Sequence, residues 1–196
     1  MTSDTIARIL NFWFGDPAGA ESEYGQQRRI WFHKDAEFDQ RVRQQFLSAY
    51  EQAQQGAYQN WMQTPRGALA LTVLLDQFPR NMFRGTPRSF EADAQALLVS
   101  QSAIAQECDR AVLPVERMFF YLPFEHSENL AHQNQAVALF EDLTKQAPDL
   151  QPTLEYAYRH REVIAQFGRF PHRNAILGRT STAAESRFLE QAGSRF

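Results

Sequence analysis

Three polar strings interrupt an otherwise apolar pattern in this 196-residue chain: Asp76-Gln77-Phe78-Pro79-Arg80-Asn81, Leu122-Pro123-Phe124-Glu125-His126-Ser127-Glu128 and Phe167-Gly168-Arg169-Phe170-Pro171-His172-Arg173-Asn174. Each sets ionisable groups beside aromatic anchors at what should be a helix end, where chain ends can converge on a pocket. Arg80, Arg169 and Arg173 offer guanidinium forks suited to a carboxylate or phosphate, with Asn81 and Asn174 to orient it. His126 or His172 can exchange a proton near neutral pH. The favoured expectation is a site for a small anionic ligand or an acidic peptide end, drawn from Asp76, Arg80, Asn81, Glu125, His126, Glu128, His160, Arg169, His172, Arg173 and Asn174. A rival uses His126 or His172 as general acid-base in an enzyme, with Glu125 or Asp76 as orienter and the arginines stabilising negative charge. A third makes the chain a protein-interaction scaffold, in which Asp76, Glu125 and Glu128 pair with the arginines only to lock the helices.

His160 lies on an apolar stripe and should face inward, where a histidine is more often a hydrogen-bonded core residue than a catalyst. Trp13, Trp31 and Trp61 are expected to be core for the same reason of spacing. Glu125, Glu128 and His132 would share a face if one helix ran through them, which allows a metal. The di-iron pattern, however, needs Glu-x-x-His twice, and only Glu-x-x-Glu is present. First-turn carboxylates also serve a helix dipole without any ligand. No metal and no cofactor are expected, and the sequence holds no Walker loop, Gly-x-Gly-x-x-Gly, Gly-x-Ser-x-Gly, Cys-x-x-Cys or His-Glu-x-x-His.

The elements that must position these residues are helical. Apolar residues recur at three and four in Ile6, Ile9, Leu10 and Trp13, with Asp4 as the expected cap and Gly15 as the stop. Asp35 should cap a helix carrying Phe38, Val42, Phe46, Ala49 and Ala53 as far as Gly56. Thr64-Pro65 opens a run, Ala68 to Leu75, that is apolar all round and should be the most central helix; Phe78-Pro79 is expected to end it. Thr86-Pro87, Leu113-Pro114, Ser127 and Gln151-Pro152 start further helices, with Pro123 expected to interrupt one of them. Pro171 opens a short piece, and Thr182 with Glu185 forms a capping box for the last helix. Nothing alternates as a strand would. About nine or ten helices result, making an all-α superhelix or irregular bundle, read as a single domain over 1–196. One local echo stands out: Phe78-Pro79-Arg80-Asn81 before Gly85-Thr86 is similar to Phe170-Pro171-His172-Arg173-Asn174 before Gly178-Arg179-Thr180.

Composition narrows the setting. Hydrophobic residues make up 43% and charged residues 22%, close to an average globular protein, while sixteen Phe, six Tyr and three Trp supply large packing units. A net charge of −3 gives no pull toward phosphate backbones, so no nucleic-acid partner is expected. The lone Cys108, flanked by Glu107 and Asp109, fits a reducing compartment and an unreactive thiol. The opening Met1-Thr2-Ser3-Asp4 lacks a basic region followed by an apolar stretch and is not expected to be a leader, and no apolar run is long enough for a bilayer, so a cytoplasmic protein without membrane contact is expected.

The three strings, the lead-in Ala68-Leu69-Ala70-Leu71 and the opening Ile9-Leu10-Asn11-Phe12-Trp13-Phe14-Gly15 resemble the signature of the bacterial domain-of-unknown-function family 924, over about Ile6 to Leu189. The resemblance implies an all-α fold similar to tetratricopeptide-like superhelices and implies no activity.

Overall fold

The computed structural model describes residues 2–20 and 22–194. Among them are nine α-helical segments and no strand: α1 (Thr2–Phe14), α2 (Ala36–Gln54), α3 (Pro65–Thr72), α4 (Phe78–Met82), α5 (Asp93–Ala105), α6 (Pro114–Glu125), α7 (Leu130–Gln146), α8 (Gln151–Phe167) and α9 (Ala183–Leu189). Short 3-10 turns link several of them, including Gln59–Gln63, Pro87–Phe90 and Pro171–Arg173.

The punctuation works where a side chain meets an orphan amide. The Asp35 carboxylate accepts from Phe38 N at the start of α2, Thr64 Oγ1 accepts from Gly67 N at the start of α3, and Thr182 with Glu185 closes both bonds of a capping box on α9. Gly15 and Gly56 turn the chain at positive φ just beyond α1 and α2.

Several expected boundaries move. Asp4 falls inside the first turn of α1 rather than before it. Phe78-Pro79 does not end the central helix: α3 runs into α4 through a π-turn, Val73–Gln77, in which Phe78 N donates to Val73 O. Proline lacks the amide that α geometry would use and crowds the carbonyl four residues back; a one-residue bulge absorbs both problems without breaking the rod. Pro123 likewise sits inside α6, in its last turn, where His126 N still reaches Leu122 O at 2.8 Å. Thr86-Pro87 starts a 3-10 turn, and α5 begins later, at Asp93. No single helix carries Glu125, Glu128 and His132, because α6 stops at Glu125 and α7 begins at Leu130 after an Asn129 cap.

Every residue from Gly67 to Asp76 is buried, so α3 and its π-turn form the axis, touching α1, α5 and α6. Around it Trp13, Phe14, Phe46, Phe78 and Phe119 pack as tilted and edge-to-face rings, Trp13 and Phe119 at 5.8 Å and Phe46 and Phe78 at 4.8 Å. Trp13 and Trp61 are core, and Trp31 packs half-buried on Trp13, with its indole N–H donated to Trp13 O at 2.9 Å. Farther along the chain α6, α7 and α8 pack in sequence, each on the next.

Candidate functional site

The π-turn delivers the first site residue. Asp76 lies within Val73–Gln77 on the buried axis, and its side chain is fully enclosed. One turn on, Arg80 Nη1 donates to Asp76 O at 2.6 Å and lies 3.5 Å from Asp76 Oδ1. The end of α6 supplies the second. Because α6 stops there, His126 turns its imidazole inward, with Nδ1 2.8 Å from Asp76 Oδ1. The 3-10 turn Pro171–Arg173 supplies the third: Arg173 Nη2 donates to His126 O at 3.0 Å.

Asp93, in the first turn of α5, closes the circuit. Its Oδ1 accepts from Arg80 Nη1 at 2.9 Å and its Oδ2 from Arg173 Nη1 at 3.2 Å. Asp76, Arg80, Asp93, Arg173 and His126 therefore form one closed ring built by four separate stretches of chain. Phe90 lies under both arginines, 5.9 Å from Arg80 and 4.6 Å from Arg173, and Phe170 covers Arg173 from another side at 4.5 Å. The ring is not sealed, since the side chains of Arg80 and Asp93 each keep 20% exposure and His126 keeps 15%.

Behind the ring sits a second buried pair. His160 on α8 places Nδ1 3.0 Å from Glu125 Oε1 and 2.9 Å from Tyr156 O, so it faces inward as its stripe implies, though against a carboxyl rather than only backbone. Gln133 pins the corner by donating from Nε2 to Glu125 O at 2.6 Å and Ser127 O at 2.7 Å.

Other expected residues lie apart from the ring. Asn81 donates to Asp39 of α2, which also holds Arg84. Glu128 is gripped by Arg179 through both Nη atoms and accepts from Phe170 N at 2.8 Å. Asn174 binds Ser181 and accepts from Arg179, and Arg169 pairs with Glu185 through two bonds. Glu128, Asn174 and Arg169 frame the segment from Gly168 to Thr182 that carries Arg173. His172 lies tilted against Phe170, ring centres 5.5 Å apart. His132, weighed as a metal ligand, bonds Ser127 instead, and Glu125 and Glu128 point to different partners. Asp93, Phe90, Gln77 and Gln133 were not among the expected residues; an acid in a first turn is explained by the helix dipole alone, so Asp93 carried no separate signal.

The family model described as "Bacterial protein of unknown function (DUF924)" matches residues 9–193. The chain belongs to this family. A solved structure of a protein of unknown function from Agrobacterium tumefaciens is 38% identical to this DUF924 member, covers 97% of this chain and 99% of its own, and superposes with a TM-score of 0.81. No curated protein matches.

Electrostatics give this DUF924 ring a definite charge state. Burial pushes the Asp76 carboxyl upward, but Arg80, His126 and the hydrogen bonds from His126 and Gln77 outweigh it and hold it at about 2. Burial, then Asp76, pushes Glu125 up to about 8, so it keeps its proton at neutral pH. Burial and then Arg80 pull His126 below the usual histidine range, with Asp76 opposing. His160 is held well below that range by burial above all, and His172 is lowered to about 4 by burial and then Arg173. Arg173 falls only to about 10 and stays charged. Two arginines thus face two aspartates while Glu125 and the three histidines are neutral. Buried polar atoms of this cluster with no hydrogen-bond partner among the described residues include Arg80 Nη2, Arg173 Nε, Glu125 Oε2 and Gln133 Oε1. Two clefts lie elsewhere: one of about 300 Å³ beside Phe12, Arg28, Phe38 and Arg41, another of about 440 Å³ beside Ile6, Thr64 and Arg66.

Proposed function

We propose that the ring of Asp76, Arg80, Asp93, His126 and Arg173 binds a small anionic group: a carboxylate, a phosphate or the acidic end of a peptide. The observation that carries this is the pair of buried guanidinium donors, Arg80 Nη2 and Arg173 Nε, that no acceptor among the described residues satisfies. A buried donor without an acceptor costs about 1–3 kcal/mol, more when it is charged, and an oxyanion offers the lone pairs that guanidinium geometry fits. The partly exposed edge at Arg80, Asp93 and His126 is the way in. On this reading Glu128, Arg169 and Asn174 hold the segment bearing Arg173 in place, Asn81 anchors α4, and His160 and His172 form the back wall.

The surroundings support a single domain over 1–196 of the tetratricopeptide-like type working in the cytoplasm. Helices α6, α7 and α8 stack in chain order, as repeats of helical hairpins do. The lone Cys108 is buried, and burial followed by Asp109 raises its thiol, which suits a reducing compartment. No helix among the described residues is long and apolar enough to cross a membrane. A net charge of −3 argues against a nucleic-acid partner.

An acid-base enzyme is the second reading, favoured by the 2.8 Å contact of His126 Nδ1 with Asp76. That contact fixes the tautomer and leaves Nε2 basic; His172, lowered to about 4, is the weaker base of the two.

Calorimetry and thermal melts with acetate, succinate and inorganic phosphate test the binding reading on wild type and Arg80→Gln. The expected result is saturable binding of at least one anion by wild type. Arg80→Gln should lose at least about tenfold in affinity, roughly one charge-assisted hydrogen bond, with unchanged circular dichroism. If no anion binds or shifts the melting of the wild type, the ring is a structural ion-pair network and the scaffold reading takes its place.

A further inference from the structure

A guest anion creates a charge problem in this ring. Asp76 and Asp93 already balance Arg80 and Arg173, each aspartate bonded to a guanidinium. An added negative charge would go unmatched in a mostly buried place, where an uncompensated ion costs several kcal/mol. Something must supply a positive charge without dismantling the ring.

Among the described residues, His126 is placed to do so. Its Nδ1–H donates to Asp76 Oδ1, which leaves the lone pair of Nε2 open to a proton, and protonation would turn that hydrogen bond into an ion pair at the same 2.8 Å. The groups that bear on it come from every neighbouring element: Asp76 of the π-turn, Arg80 of α4, Asp93 of α5, His160 of α8, and His172 and Arg173 of the 3-10 turn, with Glu125 adjacent in α6. Of these, burial and then Arg80 resist the proton, while Asp76 and Asp93 attract it. An anion seated on the two arginines cancels the main electrostatic resistance. His160 and His172 are set differently: His160 Nδ1 is engaged by Glu125 and by Tyr156 O, both rings lie against Phe170, and burial above all, with Arg173, opposes a proton on either.

We propose that the site takes up a singly charged oxyanion, a small monocarboxylate, together with one proton from solution, and that this proton comes to rest on Nε2 of His126. The proposal rests on the anion-binding reading above and narrows its ligand class. One bond forms, from the Nε2 lone pair to the incoming proton, and none in the ligand breaks. A phosphate dianion would need a second proton, and the ring has no second imidazole on an aspartate to hold it, so the site discriminates against phosphate at alkaline pH. Above the pKa that His126 has in the complex, or below the one it has in the free protein, no proton is exchanged and affinity is flat with pH. Between these limits affinity rises as pH falls, approaching tenfold per unit.

Titration calorimetry with acetate and with inorganic phosphate, from about pH 5.5 to 8.5 in buffers of differing ionisation enthalpy, reads the proton count directly. Expected are uptake of up to one proton per acetate near neutrality, acetate affinity falling up to tenfold per unit as pH rises, and acetate favoured over phosphate at about pH 8. In His126→Gln, acetate affinity should lose its pH dependence. Acetate binding without proton uptake at any pH, or tighter phosphate than acetate binding at about pH 8, overturns the proposal while leaving the anion site standing. Silence toward both anions at every pH removes the anion site and this inference together. The proton count is made on wild type between about pH 5.5 and 7, where Glu125, raised to about 8, already holds its proton and adds none, so it decides the matter even if His126→Gln does not fold.

Discussion

At the scale of single residues, two buried carboxyls a short distance apart behave oppositely, and the difference lies in what surrounds them. Asp76 meets Arg80, His126 and Gln77 and is ionised; Glu125 meets a neutral histidine and is not. Glu125, raised from 4.5 to about 8, binds its proton more tightly folded than unfolded. Its contribution to stability is therefore complete below about pH 4.5 and drains away as pH rises toward 8, by roughly 1 kcal/mol per unit. Glu125→Gln, which mimics the protonated form, should flatten the fall in urea stability between about pH 6.5 and 8; an unchanged slope would show that Glu125 ionises normally. Asp76, lowered to about 2, contributes stability that is present above about pH 3.8 and is lost as pH drops through 2. Asp76→Asn removes the anion but not Arg80, and breaking a buried pair from one side costs about 3–5 kcal/mol, a loss that chemical denaturation at neutral pH would register. Arg80, His126 and Arg173 were legible from sequence as a set because each adjoins a proline corner with an aromatic anchor. Asp93, the common partner of the two arginines, was not, since pairing between residues 13 and 80 positions apart leaves no local trace.

At the scale of elements, the site depends on a rod that bends its own rule. The run Ala68 to Leu75 announced a central helix, and caps at Asp35, Thr64 and Thr182 were readable because each is a bond between residues three apart. The π-turn was not readable: a phenylalanine before a proline signals an end, and only packing on all sides of Val73 to Asp76 makes continuing the rod better than stopping it. That packing has a checkable keystone. Gly67, in the first turn of α3, lies so close to the turn Gln59–Gln63 that an added Cβ would meet Trp61 O at 2.3 Å. Backbone cannot step aside cheaply there, so Gly67→Ala should destabilise by about 1–3 kcal/mol in urea. By tilting α3 it should also displace the amide resonances of Asp76 and Gln77. A neutral substitution would mean that α3 and the turn slide freely and that the axis is not what fixes Asp76.

At the scale of the molecule, the two similar corners around Arg80 and Arg173 end on the two oxygens of one aspartate, over one phenylalanine, although the first corner is a helix and the second a 3-10 turn. The echo in sequence therefore reflects a shared task more than a shared backbone. The second corner reaches the ring only because the segment from Gly168 to Thr182 is tied back across the helix stack, chiefly by Glu128, which holds Arg179 at 2.7 Å and 2.9 Å and the Phe170 amide at 2.8 Å. Glu128 and Arg179 stay partly exposed, so water can replace much of what is lost, and Glu128→Ala should lower global stability by only about 1–2 kcal/mol. Its local effect should be larger. Hydrogen exchange is expected to accelerate across residues 169–182 while α3, α6 and α7 keep their protection, and acetate affinity should fall although no residue of the ring has changed. Faster exchange spread evenly over the whole chain would instead show that this segment opens only when everything does, and the ring would then be as rigid as the core around it.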